Sequence, residues 1–212
     1  MTIAELFYAK QANRARISGL PRRRGKLPTR RRKFALEALE PRLLLSADPL
    51  KYVMGGAVTD LTLRVEQDVD GAKVLQLLNN SSSPGAVVAS RPLAQTSEVV
   101  ITGSANDDTL IIGYGGSIPV SFTDAASGDR DSLKVLGGDT AWNITGPDAG
   151  TVRQVTFAGV ETLVGAAGNQ DTLVFGPGGS LDGGIDGGAG GFDTLVVEGD
   201  SYSTLVFPRS TP

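Results

Sequence analysis

The chain has 212 residues, 40% of them apolar, enough to enclose a hydrophobic core, and it contains neither Cys nor His. That excludes disulfides, thiolate and imidazole metal sites, Ser-His and Cys-His catalysis, and a histidine-based pH switch. The net charge of −3 is unevenly divided: residues 1–50 carry twelve Lys or Arg against four acids, a net +8, and residues 51–212 carry eight against nineteen, a net −11. Two physically different segments are therefore joined. The 28 glycines follow no period of three, so they indicate loop-rich all-β material and not collagen.

Residues 1–33 hold Arg22-Arg23-Arg24 and Arg30-Arg31-Arg32-Lys33 among Pro21, Gly25 and Pro28. Such a charged, apolar-poor segment cannot repay the entropy of ordering, and it is predicted to be a disordered basic leader. Its readings are a solvated tail, a targeting leader, a membrane-surface patch or an arm making non-specific phosphate contacts. Without interleaved aromatics nothing argues for a specific nucleic-acid partner.

Residues 34–47 place Phe34, Leu36, Leu39 and Leu43 to Leu45 along one side of a short helix that Pro41 would limit or kink. The apolar run is too short to span a bilayer and too broken for a secretory signal core, so no transmembrane segment is expected. Leu39-Glu40-Pro41-Arg42-Leu43-Leu44-Leu45 resembles the LEPR-XLL motif, carried here by Leu39, Glu40, Pro41, Arg42, Leu44 and Leu45. In that family of large repetitive Gram-negative exoproteins the motif follows a basic leader and precedes long repeat arrays. The resemblance implies a secreted or cell-surface protein, and a chain that continues into further repeats beyond residue 212.

Residues 48–98 read as a transition region with a hairpin. Leu61-Thr-Leu-Arg-Val-Glu66 alternates apolar and polar residues, Asp68 to Gly71 supplies a turn, and Val74-Leu-Gln-Leu-Leu78 returns. Asn79 to Gly85 then interrupts regular structure.

Residues 99–212 read as a β-repeat domain built on a phrase written three times. Gly103-Ser-Ala-Asn-Asp-Asp108, Ala166-Ala-Gly-Asn-Gln-Asp171 and Gly188-Ala-Gly-Gly-Phe-Asp193 each run into Thr-Leu and two further apolar residues. Small and polar residues bend the chain, while Thr-Leu-Val-Val favours a buried strand, so each copy is one loop and one strand. Apolar centres recur mostly every eight to thirteen residues, from Val100 to Val206. Stacked equivalent turns explain repeated words better than a sandwich does. The expected fold is all-β, a parallel β-solenoid or β-helix-like repeat domain after the basic tail and short helix, with a β-sandwich as the alternative. Helix should be scarce after residue 48. Leu110, Leu173 and Leu195 should share one core, and the final rung, left uncapped, should self-associate or require the repeats that follow.

The block Gly178 to Leu195 resembles the haemolysin-type calcium repeat, in which glycine carbonyls and an Asp carboxylate of neighbouring turns hold the ion. That resemblance implies calcium as a cofactor and Asp108, Asp171, Asp182, Asp186, Asp193, Gly188 and Gly191 as candidate ligands. The twenty-two residues between Asp171 and Asp193 argue against stacked ligands, and the opposing reading has these Asp residues accept backbone N–H bonds in their own turns. Nothing in the composition requires a cofactor. Val155 to Leu163 resembles the Gly-Val-Glu-x-Leu phrase of bacterial exoprotein repeats, with Glu161 a turn or edge charge. Trp142, the only Trp, reads either as core packing or as a stacking platform for sugar.

No Gly-x-Gly-x-x-Gly opens a helix, no Gly-Lys-Ser/Thr occurs, and no separate acid pair is evident. The sequence therefore points to non-catalytic, structural or adhesin-like material whose partners are following repeats, other copies, or surface carbohydrate or protein. Its alternatives are a calcium-binding β-roll module and a carbohydrate-active solenoid enzyme.

Overall fold

In the computed structural model the described residues are 47–82, 85–124, 126 and 128–198. The basic leader, the LEPR segment except Ala47, and the strand-like run at Leu205 to Phe207 lie outside them. The fold is all-β, and among the described residues the sole helical element is a three-residue 3-10 turn, Leu93–Gln95.

Two open, mixed sheets are present. One contains β1 (Asp48–Val53), β5 (Thr96–Thr102), β7 (Val120–Thr123), β9 (Ala141–Gly146), β10 (Ala149–Val152), β11 (Val155–Ala158), β13 (Thr172–Phe175) and β15 (Thr194–Val197), ordered β1-β5-β7-β11-β10-β9-β13-β15. The other contains β2 (Asp60–Gln67), β3 (Lys73–Asn79), β4 (Ala86–Pro92), β6 (Thr109–Ile112), β8 (Ser132–Val135), β12 (Thr162–Val164) and β14 (Ile185–Asp186), ordered β14-β12-β8-β6-β2-β3-β4. From β5 onward the chain changes sheet at each step, except that β9, β10 and β11 stay together.

Register follows from burying every second side chain, since a slip of one residue would turn the apolar set outward. In the seven-stranded sheet Leu61, Leu110, Leu133, Leu163 and Ile185 pair in one column, and all but the half-buried Ile185 are buried. Opposite them, Ile101, Phe122 and Phe157 form a second column, extended at one end by the partly buried Tyr52. The columns belong to one hydrophobic cluster. At about 1.5–3 kcal/mol for each fully buried side chain, this cluster supplies the main force holding the sheets together.

Two antiparallel excursions interrupt the parallel stacking. The first is the expected hairpin: β2 and β3 pair over their whole length, and the Asp68 carboxylate accepts the Asp70 and Ala72 N–H groups across a turn in which Gly71 has φ 79°. The region read as a transition thus supplies β1 to β4. β1 pairs with β5, and β5 crosses the expected boundary at residue 99.

The second excursion is the meander β9-β10-β11, turned by Asp148 at φ 47° and Arg153 at φ 50°. Gly150 is required in β10, because a Cβ there would run into the Asn143 carbonyl of β9. The Arg153 guanidinium donates to the Leu136 and Gly138 carbonyls at 3.0 and 2.6 Å, strapping the loop after β8 to this turn.

The three Asp-Thr-Leu copies each start a strand, but not in one column. β13 and β15 are parallel neighbours with Leu173 beside Leu195, whereas β6 lies in the other sheet between β2 and β8. Leu110 and Leu173 are buried in the common cluster, and the half-buried Leu195 packs against it.

Candidate functional site

The Asp of each repeated word stands immediately before its strand, where the chain swings out of the ladder and a backbone N–H loses its partner. Asp108, Asp131 and Glu161 precede β6, β8 and β12 at equivalent register positions. The Asp131 carboxylate accepts the Asp108 N–H at 2.9 Å, and the Glu161 carboxylate accepts the Asp131 N–H at 2.7 Å. In the eight-stranded sheet Asp171 accepts the Thr140 N–H at 2.8 Å, and Asp193 accepts the Asp171 N–H at 2.9 Å.

A return bond runs the other way in each sheet. Arg130 N–H donates to Asp107 and Gln170 N–H to Asp139, both at 2.9 Å. The carboxylates of Asp131, Glu161, Asp171 and Asp193 therefore clamp their own strands to the preceding ones, whereas Asp108 accepts the Ser104 N–H of its own loop. This reverses the expectation from spacing, because the twenty-two residues from Asp171 to Asp193 are one full passage through both sheets and bring the two Asp residues into adjacent positions. Glu161, read from sequence as a turn or edge charge, is a member of such a column.

Beside the first column the carboxylates crowd together. Asp124 ends the segment after β7, Asp129 lies in the loop to β8, and Asp131 leads into β8. One oxygen of each lies within 4.8 Å of the other two. Asp131 is 1% exposed and Asp108 fully buried. Asp131 Oδ2, Asp108 Oδ1 and Asp129 Oδ2 are buried with no hydrogen-bond partner among the described residues, while Asp124 Oδ2 accepts the Ala126 N–H at 2.9 Å. The ion pairs among the described residues, Arg64–Glu66 and Arg91–Asp48, involve none of these groups.

Burial pushes the Asp131 carboxyl up to about 7, and the charges of Asp124, Asp108 and Asp129 push the same way against the Asp108 N–H bond. Burial likewise raises Asp108, with Asp124 and Asp129 adding to it and Ser104 opposing. Gly103 makes room for the group, since a Cβ there would stand 2.8 Å from Asp124 Oδ1.

No family model, curated protein or solved structure matches the chain. Carboxylates as deeply buried as Asp108 and Asp131 can hold a proton or a hard cation.

The remaining sequence candidates are dispersed. Asp182 donates its N–H to Asp148 Oδ1 at 2.7 Å, and burial, then the Asp182 charge, raises Asp148. Asp186 accepts the Gly188 N–H of its own turn at 2.9 Å. Gly188 and Gly191, at φ 101° and 89°, let their loop lie against the Ala166 and Asn169 carbonyls of the preceding passage. Trp142 is fully buried, so its indole offers no face to a sugar.

Asp124, Asp129 and Asp131 are not among the ligands expected from sequence. The signal was present in Asp131-Ser132-Leu133, a fourth copy of the word with Ser for Thr, and in three acids within eight residues from Asp124.

Proposed function

We propose that the chain is structural, non-catalytic material of a longer exported repeat protein, a stack of β-solenoid type that holds other segments at a distance or presents them at a cell surface. The observation that carries this reading is the carboxylate column repeated in both sheets. It ties β8 to β6, β12 to β8, β13 to β9 and β15 to β13 by the same bond, a pattern that further passages could extend. The LEPR-like residues Leu39 to Leu45 and the basic leader support export, and following repeats or other copies of the chain are the proposed partners. Carbohydrate-active catalysis is disfavoured by the burial of Asp108 and Asp131.

Intact Gram-negative cells producing the full chain should lose it to an externally added protease while a cytoplasmic marker survives. Protection of the chain until the cells are lysed would contradict export.

A further inference from the structure

We propose that Asp108, Asp124, Asp129 and Asp131 form a binding site for one hard divalent cation of calcium's size. The site goes beyond the structural reading above and does not depend on export or on a longer chain.

The first observation is proximity without compensation. Carboxylate oxygens of Asp124, Asp129 and Asp131 converge within 4.8 Å, with no Lys or Arg paired to them among the described residues. The second is the state of the buried oxygens: Asp131, 1% exposed, carries one with no hydrogen-bond donor among the described residues, and Asp108, fully buried and arriving from the neighbouring passage, carries another. Buried polar atoms are nearly always partnered, and a carboxylate left with a bare lone pair in the interior is costly. Both residues have already given their other oxygen to a backbone N–H, Asp131 to that of Asp108 and Asp108 to that of Ser104, so the bare oxygens are held in place and cannot turn away.

The donor set selects the ligand. All donors are carboxylate oxygens, and the chain has no His or Cys, which favours a hard cation over zinc or copper. Calcium takes six to eight oxygens at roughly 2.3–2.6 Å in a flexible geometry, which suits carboxylates that are already fixed by other bonds, whereas magnesium, at roughly 2.0–2.1 Å, demands a near-ideal octahedron. Asp129 also lines a polar surface recess with Gly128, Asp107, Asn106 and Thr59, which gives an ion a way in. The absence of a Cβ at Gly103 leaves the space that the Asp124 carboxylate occupies.

Titration of the chelator-treated full chain with calcium chloride, followed by calorimetry, should give one ion per chain in this site, with magnesium chloride binding more weakly. Asp129→Asn and Asp124→Asn should each weaken calcium by about tenfold or more, and Asp186→Asn, whose carboxylate serves its own turn, should leave it unchanged. No calcium uptake at roughly millimolar concentration by the unaltered chain overturns the proposal, whatever the variants do. It is equally overturned if both variants bind like the parent, or if Asp186→Asn alone abolishes binding.

Discussion

Trp142→Ala is expected to lower the unfolding free energy by about 3–5 kcal/mol. Trp142 is the largest fully buried side chain, and it pairs with Leu173 on one side and Val152 on the other, where the antiparallel meander meets the parallel run β9-β13-β15. Truncation leaves a cavity at a seam between antiparallel and parallel pairing. Because the indole Nε1 has no hydrogen-bond partner, Trp142→Phe removes an unsatisfied donor along with some volume and should cost clearly less, under about 2 kcal/mol. Phe192→Ala, at a side chain 83% exposed, should stay within about 0.5 kcal/mol. Urea unfolding of the three variants decides it, and equal losses at Trp142 and Phe192 would contradict the assigned core.

With cations removed, the protein should lose stability as pH rises from about 4 to about 7. The folded Asp131 carboxyl keeps its proton until about pH 7, while in the unfolded chain it ionises near its ordinary value of 3.8. Between those values the unfolded state binds fewer protons, so the stabilisation is complete below about pH 4 and is gone once pH passes about 7. The raised Asp108 carboxyl acts in the same direction. In Asp131→Asn a carbonyl oxygen can still accept the Asp108 N–H, and the new amide can donate to Asp124 or Asp129, so the slope should flatten and the variant should outlast the parent at pH 8. Thermal unfolding in the presence of a chelator measures both curves. A parent whose stability is flat or rises from pH 4 to 7 is incompatible with the assigned environment of Asp131.

Much of the local structure is legible in the sequence, because it rests on short-range chemistry. Alternation from Leu61 to Glu66 and the Asp68 to Gly71 turn specify the hairpin. The words ending in Thr-Leu specify β6, β13 and β15, and Leu110 and Leu173 fall on the buried face. Sheet membership is less accessible. Both sheets bury the same alternation, so nothing in Thr109 to Ile112 distinguishes β6 from β13. The meander is also hidden, since its turns rest on Asp148 and Arg153, non-glycine residues at positive φ.

The acidic site was obscured for a related reason. Asp124, Asp129 and Asp131 share the loop from β7 to β8, but Asp108 stands before β6, and it reaches Asp131 only when β6 and β8 pair. Reading calcium ligands along one glycine-rich stretch instead drew attention to Asp182 and Asp186, which the fold gives other bonds.

The central claim is that successive passages stack in parallel and in register through both sheets, and disulfide trapping tests it most directly because the chain has no cysteine of its own. Ser132 and Thr162, thirty residues apart, are partners on β8 and β12, while Thr109 is the partner of Ser132 on the other side. Adjacent strands at about 4.8 Å suit a disulfide, and strands two apart at about 9.6 Å do not. The S132C/T162C and T109C/S132C chains should therefore oxidise rapidly and completely within the monomer, and T109C/T162C should remain reduced. Rapid closure of T109C/T162C with failure of the two neighbouring pairs would contradict the stacking order.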